Sequence, residues 1–170
     1  SLIQQIDTMS SIASAFATYA QMPAQQDETL NVIKITKLAL DIFNEGYIYF
    51  TSEKNEVIIK FDRTQLMRVI TNLVKNSIQA IHENHLEEPK IEVRVYQDES
   101  FAIISVMDNG TGITDENKAM VFEPKFTTKT SGMGLGLAMV KKIVETYGGE
   151  ISFKTIKGEG TTFIVKLPLK

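Results

Sequence analysis

The stretch from Asp62 to His82 constrains the fold more than any other, because its apolar residues recur at helical spacing without a proline or glycine to interrupt them. Leu66, Val69, Ile70, Leu73, Val74, Ser77, Ile78 and Ile81 fall on one face, which a helix of this kind must bury against another element. Asp62 and Gln65 have capping-box spacing and open the helix at residue 63. Arg68, Asn72 and Asn76 recur every four residues and share a second, polar face. An asparagine offers a neutral oxygen of the kind magnesium accepts, and its amide can donate to a phosphate. Taken alone, the row reads more simply as a solvated face, and only other motifs turn it into a site.

The elements around this helix alternate in type. Residues 1–22 set Leu2, Met9 and Phe16 a heptad apart with Ile6, Ala13 and Ala20 between them, an apolar seam along a helix ending before Pro23. The seam suits a partner helix or the chain's own domain equally. Gln25 to Glu28 reads as a hinge, and a second amphipathic helix is expected from Glu28 to about Asn44, carrying Leu30, Ile33, Leu38, Ala39 and Ile42. Short strands are expected at 47–51 and 57–61 around the polar turn Ser52 to Asn55, then at 91–95 and 101–107. A short helix at about 115–122, a helix from Leu135 to Tyr147 stopped by Gly148 and Gly149, and a closing hairpin at 151–156 and 161–167 complete the pattern. Helices interspersed with hairpin-linked strands predict an α+β two-layer sandwich, a mixed sheet covered on one face by helices.

Three loops carry chemistry-bearing residues. Asp108-Asn109-Gly110-Thr111-Gly112 follows a strand, and its glycines let the backbone turn sharply and approach a ligand closely. A carboxylate there can accept from an exocyclic amine such as that of adenine. Asn-Gly is also a hairpin signal, but Ile113 to Lys118 reads as a capped helix rather than a returning strand. Gly132-Met133-Gly134-Leu135-Gly136-Leu137 stands at the mouth of a helix, where amides and dipole suit an anion. It matches neither a Walker-type loop nor a dinucleotide fingerprint. Between them, Thr127 to Ser131 is polar and cationic and suits a lid over phosphates, with Lys129 the first phosphate contact and Lys125 the second. His82 and His85 lie at a frayed helix end and lack further ligands for a metal.

Composition narrows the classes. A net charge of -3 argues against a broad surface for nucleic acid, so an anionic ligand must be met by local groups. The absence of cysteine removes disulfides and thiolate chemistry and fits a reducing, cytoplasmic setting. No apolar run approaches the length of a membrane span, and the start at Ser1-Leu2 without methionine suggests a soluble piece of a longer protein.

Read in order, Asn72 to Ser77, Asp108 to Ile113, Phe122-Glu123-Pro124, Gly132 to Leu137 and Gly158 to Phe163 resemble the successive signature boxes of sensor histidine kinases. Phe126-Thr127-Thr128-Lys129 looks most like their nitrogen-regulatory branch. The resemblance spans about residues 28–170 and implies the Bergerat ATP-binding fold shared with gyrase, the Hsp90 chaperones and the MutL proteins, with a sheet of about five strands and about three helices. It makes Asn72 and Asn76 the catalytic asparagines, Asn76 the magnesium ligand, and Lys75 and Gln79 their neighbours along the pocket. Asp108 would read adenine in a pocket shaped by Gly110, Gly112 and Ile113, with Thr161 in support. Lys129, Gly132, Met133, Gly134, Leu135 and Gly136 would hold ATP phosphates, and Phe122 would anchor the lid.

The ATPases of the superfamily carry a water-activating glutamate four residues before the metal asparagine, and here that position is Asn72. The resemblance therefore implies a kinase with a histidine acceptor. His82-Glu83 does not continue to Asn-Pro as the family's acceptor does. Residues 1–24 resemble the second helix of the dimerisation hairpin, which places the phospho-acceptor helix before Ser1. The implied partners are that helix, a second copy of the full-length protein in a homodimer, and the receiver domain of a response regulator. A serine kinase of the same fold, a non-catalytic nucleotide-binding scaffold and a helical interaction module are the competing readings.

Overall fold

The computed structural model describes residues 2–20, 24–124 and 135–169. A leading helix α1 (Leu2–Ala20) precedes strand β1 (Asp27–Asn31), helix α2 (Val32–Leu40) and strands β2 (Ile48–Thr51) and β3 (Ile58–Asp62). The long helix α3 (Arg63–Asn84) leads into β4 (Ile91–Gln97) and β5 (Phe101–Asp108). A single-turn helix α4 (Asp115–Lys118), helix α5 (Gly136–Thr146) and the hairpin β6 (Glu150–Ile156) and β7 (Gly160–Pro168) follow.

The main sheet has the order β2-β4-β5-β7-β6, with β2 and β4 parallel and every other pair antiparallel. It is the five-stranded mixed sheet expected. β5 lies at its centre, and Ala102, Ile103, Ile104 and Val106 are all buried, as the apolar run requires. The core forms between sheet and helices from Val69, Ile70, Leu73 and Val74 of α3, Val140, Ile143 and Val144 of α5, and Val93, Val95, Phe163 and Val165 of the sheet. All these side chains alternate on strands or recur every three to four residues on helices, so one face of each element supplies them.

The expected helix Glu28–Asn44 is divided in two. Its first residues pair antiparallel with β3, Asp27 opposite Asp62 and Leu30 opposite Ile59, in a separate two-stranded sheet. Asn31 makes the switch: its side-chain oxygen accepts from Ile33 N and Val57 N, each at 3.1 Å, so one residue caps α2 and ties it to the next segment. Leu30 and Ile33 are buried in strand and helix respectively, and this is why their spacing looked like one helix. The strands flanking Ser52 to Asn55 are not partners of each other, since β2 joins β4 and β3 joins β1.

Asp62 caps α3 as expected, its Oδ1 accepting from Gln65 N at 3.1 Å. α4 is a single turn, shorter than 115–122. α5 ends where Gly148 takes φ of 74° and Gly149 N donates to Val144 O at 2.9 Å, a glycine-terminated helix end.

Candidate functional site

α3 forms the floor of the site, and among the described residues the loop after β5 and the start of α5 meet it at successive points along its axis. Near its C-terminal end, the chain leaving β5 packs on the backbone of Ala80. A Cβ added at Gly110 would stand 2.6 Å from the Ala80 carbonyl carbon, and Thr111 N donates to Ala80 O at 3.3 Å. Only glycine fits that approach. Gly112 has φ of 73°, and Gly158 N donates to Thr111 O at 2.6 Å, joining this loop to the β6–β7 turn. Ile113 N donates to Thr155 Oγ1 at 2.8 Å, which closes the loop against β6.

Asp108 ends β5 and is 3% exposed. Its Oδ1 accepts from Gly110 N at 2.9 Å, while Oδ2 is buried without a hydrogen-bond partner among the described residues. Burial is the main reason its carboxyl is pushed above the usual range, opposed by the amides of Gly110 and Thr161 and by the nearby Ser77 hydroxyl. Ser77 Oγ itself is buried and outside hydrogen-bond geometry with any described residue. Thr161 sits directly opposite Asp108 in the β5–β7 register, and its hydroxyl is 2.8 Å from that of Thr155. The result is a buried pocket end with an unsatisfied acceptor, a hydroxyl pair and a glycine-lined approach, suited to a flat ligand that brings its own N–H donor.

Farther along α3, Asn76 and Asn72 are half-buried, Gln79 is half-buried with its amide reaching Glu83 at 3.4 Å, and Lys75 is exposed. Gly136, the first residue of α5, comes against Asn72: a Cβ there would be 3.4 Å from Asn72 Oδ1. Leu135 is buried and its carbonyl accepts from Met139 N at 2.8 Å, fixing the start of α5 beside α3. Asn72 of the asparagine row and Gly136 at the start of α5 thus meet in space. From Ala80 to Asn72 the helix rises about 12 Å, so the two ends of the site are separated by the length of an extended ligand.

Phe122 is half-buried and set edge-on to Phe153 and Phe163, with ring centroids 5.8 and 6.2 Å away. Lys141 lies over its ring at 5.6 Å. Lys125, Thr127 to Ser131, Lys129, Gly132, Met133 and Gly134 lie outside the described residues. Among the described residues no group of three or more His, Cys, Asp and Glu side chains is arranged to hold a metal ion, so a cation at Asn76 would need oxygens from its ligand.

Three residues of the site were not singled out from sequence. Ser77 was placed on the core face and lay in a quoted motif without a role in the site, and nothing in the sequence marks Thr155. Gly160 lay within a quoted motif: it has φ of 135°, and a Cβ there would meet Asp108 O at 2.0 Å, so the hairpin must pass the pocket end as bare backbone.

Residues 61–170 match the family described as histidine kinase-, DNA gyrase B-, and HSP90-like ATPase. The chain belongs to that family. Among relatives of this ATPase domain, the NtrY-like sensor histidine kinase of Rickettsia conorii is 32% identical over 173 residues, covering 99% of this chain and 28% of the relative. The sensor histidine kinase ZraS of Escherichia coli K12 is 39% identical over 125 residues, 74% of this chain and 26% of the relative. The chain therefore spans little more than a quarter of the relatives it matches. The nucleotide-free catalytic domain of histidine kinase ThkA superposes with TM-score 0.73 at 30% identity, covering 84% of this chain and 95% of that one. A structure of ThkA in complex with response regulator protein TrrA has TM-score 0.79 at 25% identity and covers 97% of this chain and 48% of that one. The α+β sandwich is that of histidine kinase catalytic domains, and ATP is the nucleotide the family implies.

Proposed function

We propose that the chain binds magnesium ATP along α3 and passes the γ-phosphoryl group to a histidine of a dimerisation helix supplied from outside residues 1–170. The observation that carries this reading is the unpaired, buried Asp108 Oδ2, which waits for an N–H donor at one end of a site whose other end joins Asn72 to the α5 mouth. Adenine brings that donor in its exocyclic amine, and the carboxylate accepts from it while Gly110 N–H holds the other oxygen. Thr161 and Thr155 supply hydroxyls beside it. The triphosphate then runs toward Asn76, Asn72 and the N-terminus of α5, whose free amides and dipole favour anionic oxygens. Lys129 and the glycines at 132 and 134 belong to the segment that joins this mouth and are assigned to the phosphates on sequence grounds. The amide oxygen of Asn76 would be the protein ligand for magnesium, which when bound would neutralise charge on the phosphate oxygens.

With Asn72 in place of a carboxylate, the position that carries the water-activating base in the family's ATPases carries none here, which favours transfer to an imidazole placed in line. What the chain contributes is placement and a charge-complementary surround. α1 is assigned to the second helix of the dimerisation hairpin, supported by the larger ThkA structure covering 97% of the chain where the catalytic domain alone covers 84%. A receiver domain of a response regulator is the downstream partner by analogy with the ThkA–TrrA complex, and the cytoplasm is the compartment that serves both.

Calorimetric titration of a non-hydrolysable ATP analogue with magnesium tests the reading. Wild type should bind, Asp108→Asn should lose at least tenfold in affinity, about 1.4 kcal/mol, and Asn76→Ala should lose the magnesium dependence. A folded wild-type chain that binds no nucleotide would refute it.

A further inference from the structure

At the opposite end of the α3–α5 pair from the glycine-rich mouth, the chain arriving from α1 is fastened to both helices. Asp62, the N-cap of α3, uses both carboxylate oxygens: Oδ1 accepts from Gln65 N at 3.1 Å and Oδ2 from Gln26 N at 2.8 Å. Tyr147, the C-cap of α5, donates its hydroxyl to Asp27 Oδ1 at 2.5 Å and accepts from Asp62 N at 3.0 Å. Its ring stacks on Phe61 with centroids 3.7 Å apart. Residues 26 and 27 are thereby held by one cap from each helix, while the exposed Arg63–Glu28 pair at 2.9 Å adds little. The Tyr147 hydroxyl is raised well above its usual range, first by burial and then by the bond to Asp27, so it stays a donor at neutral pH.

Asp62 is buried, so releasing either bond leaves one of its carboxylate oxygens without that partner in a site with little access to water. Rigid helices connect this clasp to the site. Eleven positions before Tyr147, Gly136 stands against Asn72, and ten positions after Asp62 stands Asn72 itself. Resting on the nucleotide reading above, we propose that Tyr147 and Asp62 are positioning residues for phosphotransfer: they tie the segment from α1 to the two helices that hold the phosphates. Nucleotide that draws the α5 mouth onto Asn72 also tightens the grip on residues 26 and 27, and so fixes how the catalytic domain is carried by α1. By reciprocity, a restraint on the α1 side alters nucleotide affinity.

Amide hydrogen exchange at Gln26 and Asp62, measured with and without the magnesium-bound ATP analogue, reads the coupling directly. In wild type the nucleotide should slow both amides about fivefold or more, the lower end of ordinary coupling. Tyr147→Phe keeps the ring on Phe61 but removes the hydroxyl. By the same reciprocity it should bind nucleotide about fivefold more weakly, and it should lose the response. Asp27→Ala, on an exposed strand position, should lose it too, whereas Asp27→Asn, which retains an acceptor oxygen, should keep it. A purely structural role would lower stability and leave the nucleotide response intact in every variant. That result, or a wild type that binds nucleotide without slowing either amide, overturns the clasp alone. Absence of nucleotide binding by calorimetry overturns the clasp and the functional reading together.

Discussion

A single carboxyl at the end of β5 sets folding against binding. Because burial raises the pKa of Asp108, the folded chain holds that proton more tightly than the unfolded one. The stability it contributes is full below the ordinary carboxylate range, about pH 4, and is lost as pH rises from there through the raised folded value. The cost therefore grows as pH rises above the ordinary carboxylate range until the raised folded value is passed. Asp108→Asn keeps the oxygen that accepts from Gly110 N and removes the charge, so without nucleotide it should melt higher than wild type at pH 7, by about 2–4 °C for each kcal/mol recovered. The difference should shrink below about pH 4. Melting curves at the two pH values check this, and an Asn variant that melts lower at pH 7 would contradict it. Gly110→Ala has no such benefit: with the Ala80 backbone 2.6 Å from the new carbon, overpacking should cost about 1–3 kcal/mol, read as a lower urea midpoint. Asp108, Asn72, Asn76 and Gly136 were legible in the sequence because each is chemically conspicuous in a motif. Thr155 was not, since its role depends on a cross-strand neighbour, Thr161, that only the β6–β7 register supplies.

The α3 helix was legible almost to the residue, whereas β1 was hidden inside an apparent helix. The difference is physical: α3 carries more than five turns of one period, so register errors average out, while Asp27 to Asn31 is too short for a period to declare itself. Its partner β3 lies 27 to 35 positions away in the chain, and a pairing so distant leaves no local mark. The mixed sheet was recognisable as a class, but the parallel β2–β4 pair was not, because alternation does not encode strand direction. Asp62→Ala removes the acceptor for Gln65 N and should cost about 1–2 kcal/mol from the cap alone, with more lost at Gln26. Asp62→Asn, which retains an oxygen toward Gln65, should recover most of the cap contribution. Urea denaturation of the pair measures this, and equal midpoints for Ala and wild type would mean that the cap bond is not what holds the helix start.

At the scale of the whole molecule, α1 stands apart from the rest in how its apolar side chains are treated. Leu2, Ile6 and Met9 are 73%, 57% and 66% exposed, while equivalent residues of α3 and α5 are buried. The first half of the heptad seam, Leu2, Ile6 and Met9, is therefore uncovered by the described residues of its own chain. A face of this kind seeks another helix. Two copies of α1 provide half of a four-helix bundle, so self-association of the chain should be weak, with Kd between micromolar and millimolar, about -8 to -4 kcal/mol. Sedimentation equilibrium across that range should show an average mass rising from 19.0 kDa toward twice that value. Ile6→Glu should hold the chain at the monomer mass, because a charge placed in the seam would be desolvated in the dimer. Nucleotide affinity of that variant should match wild type at concentrations where both are monomers, because nothing then restrains α1 differently in the two. A wild type that stays monomeric at the highest concentration would instead assign the seam to a helix of different sequence, such as the one expected to carry the acceptor histidine.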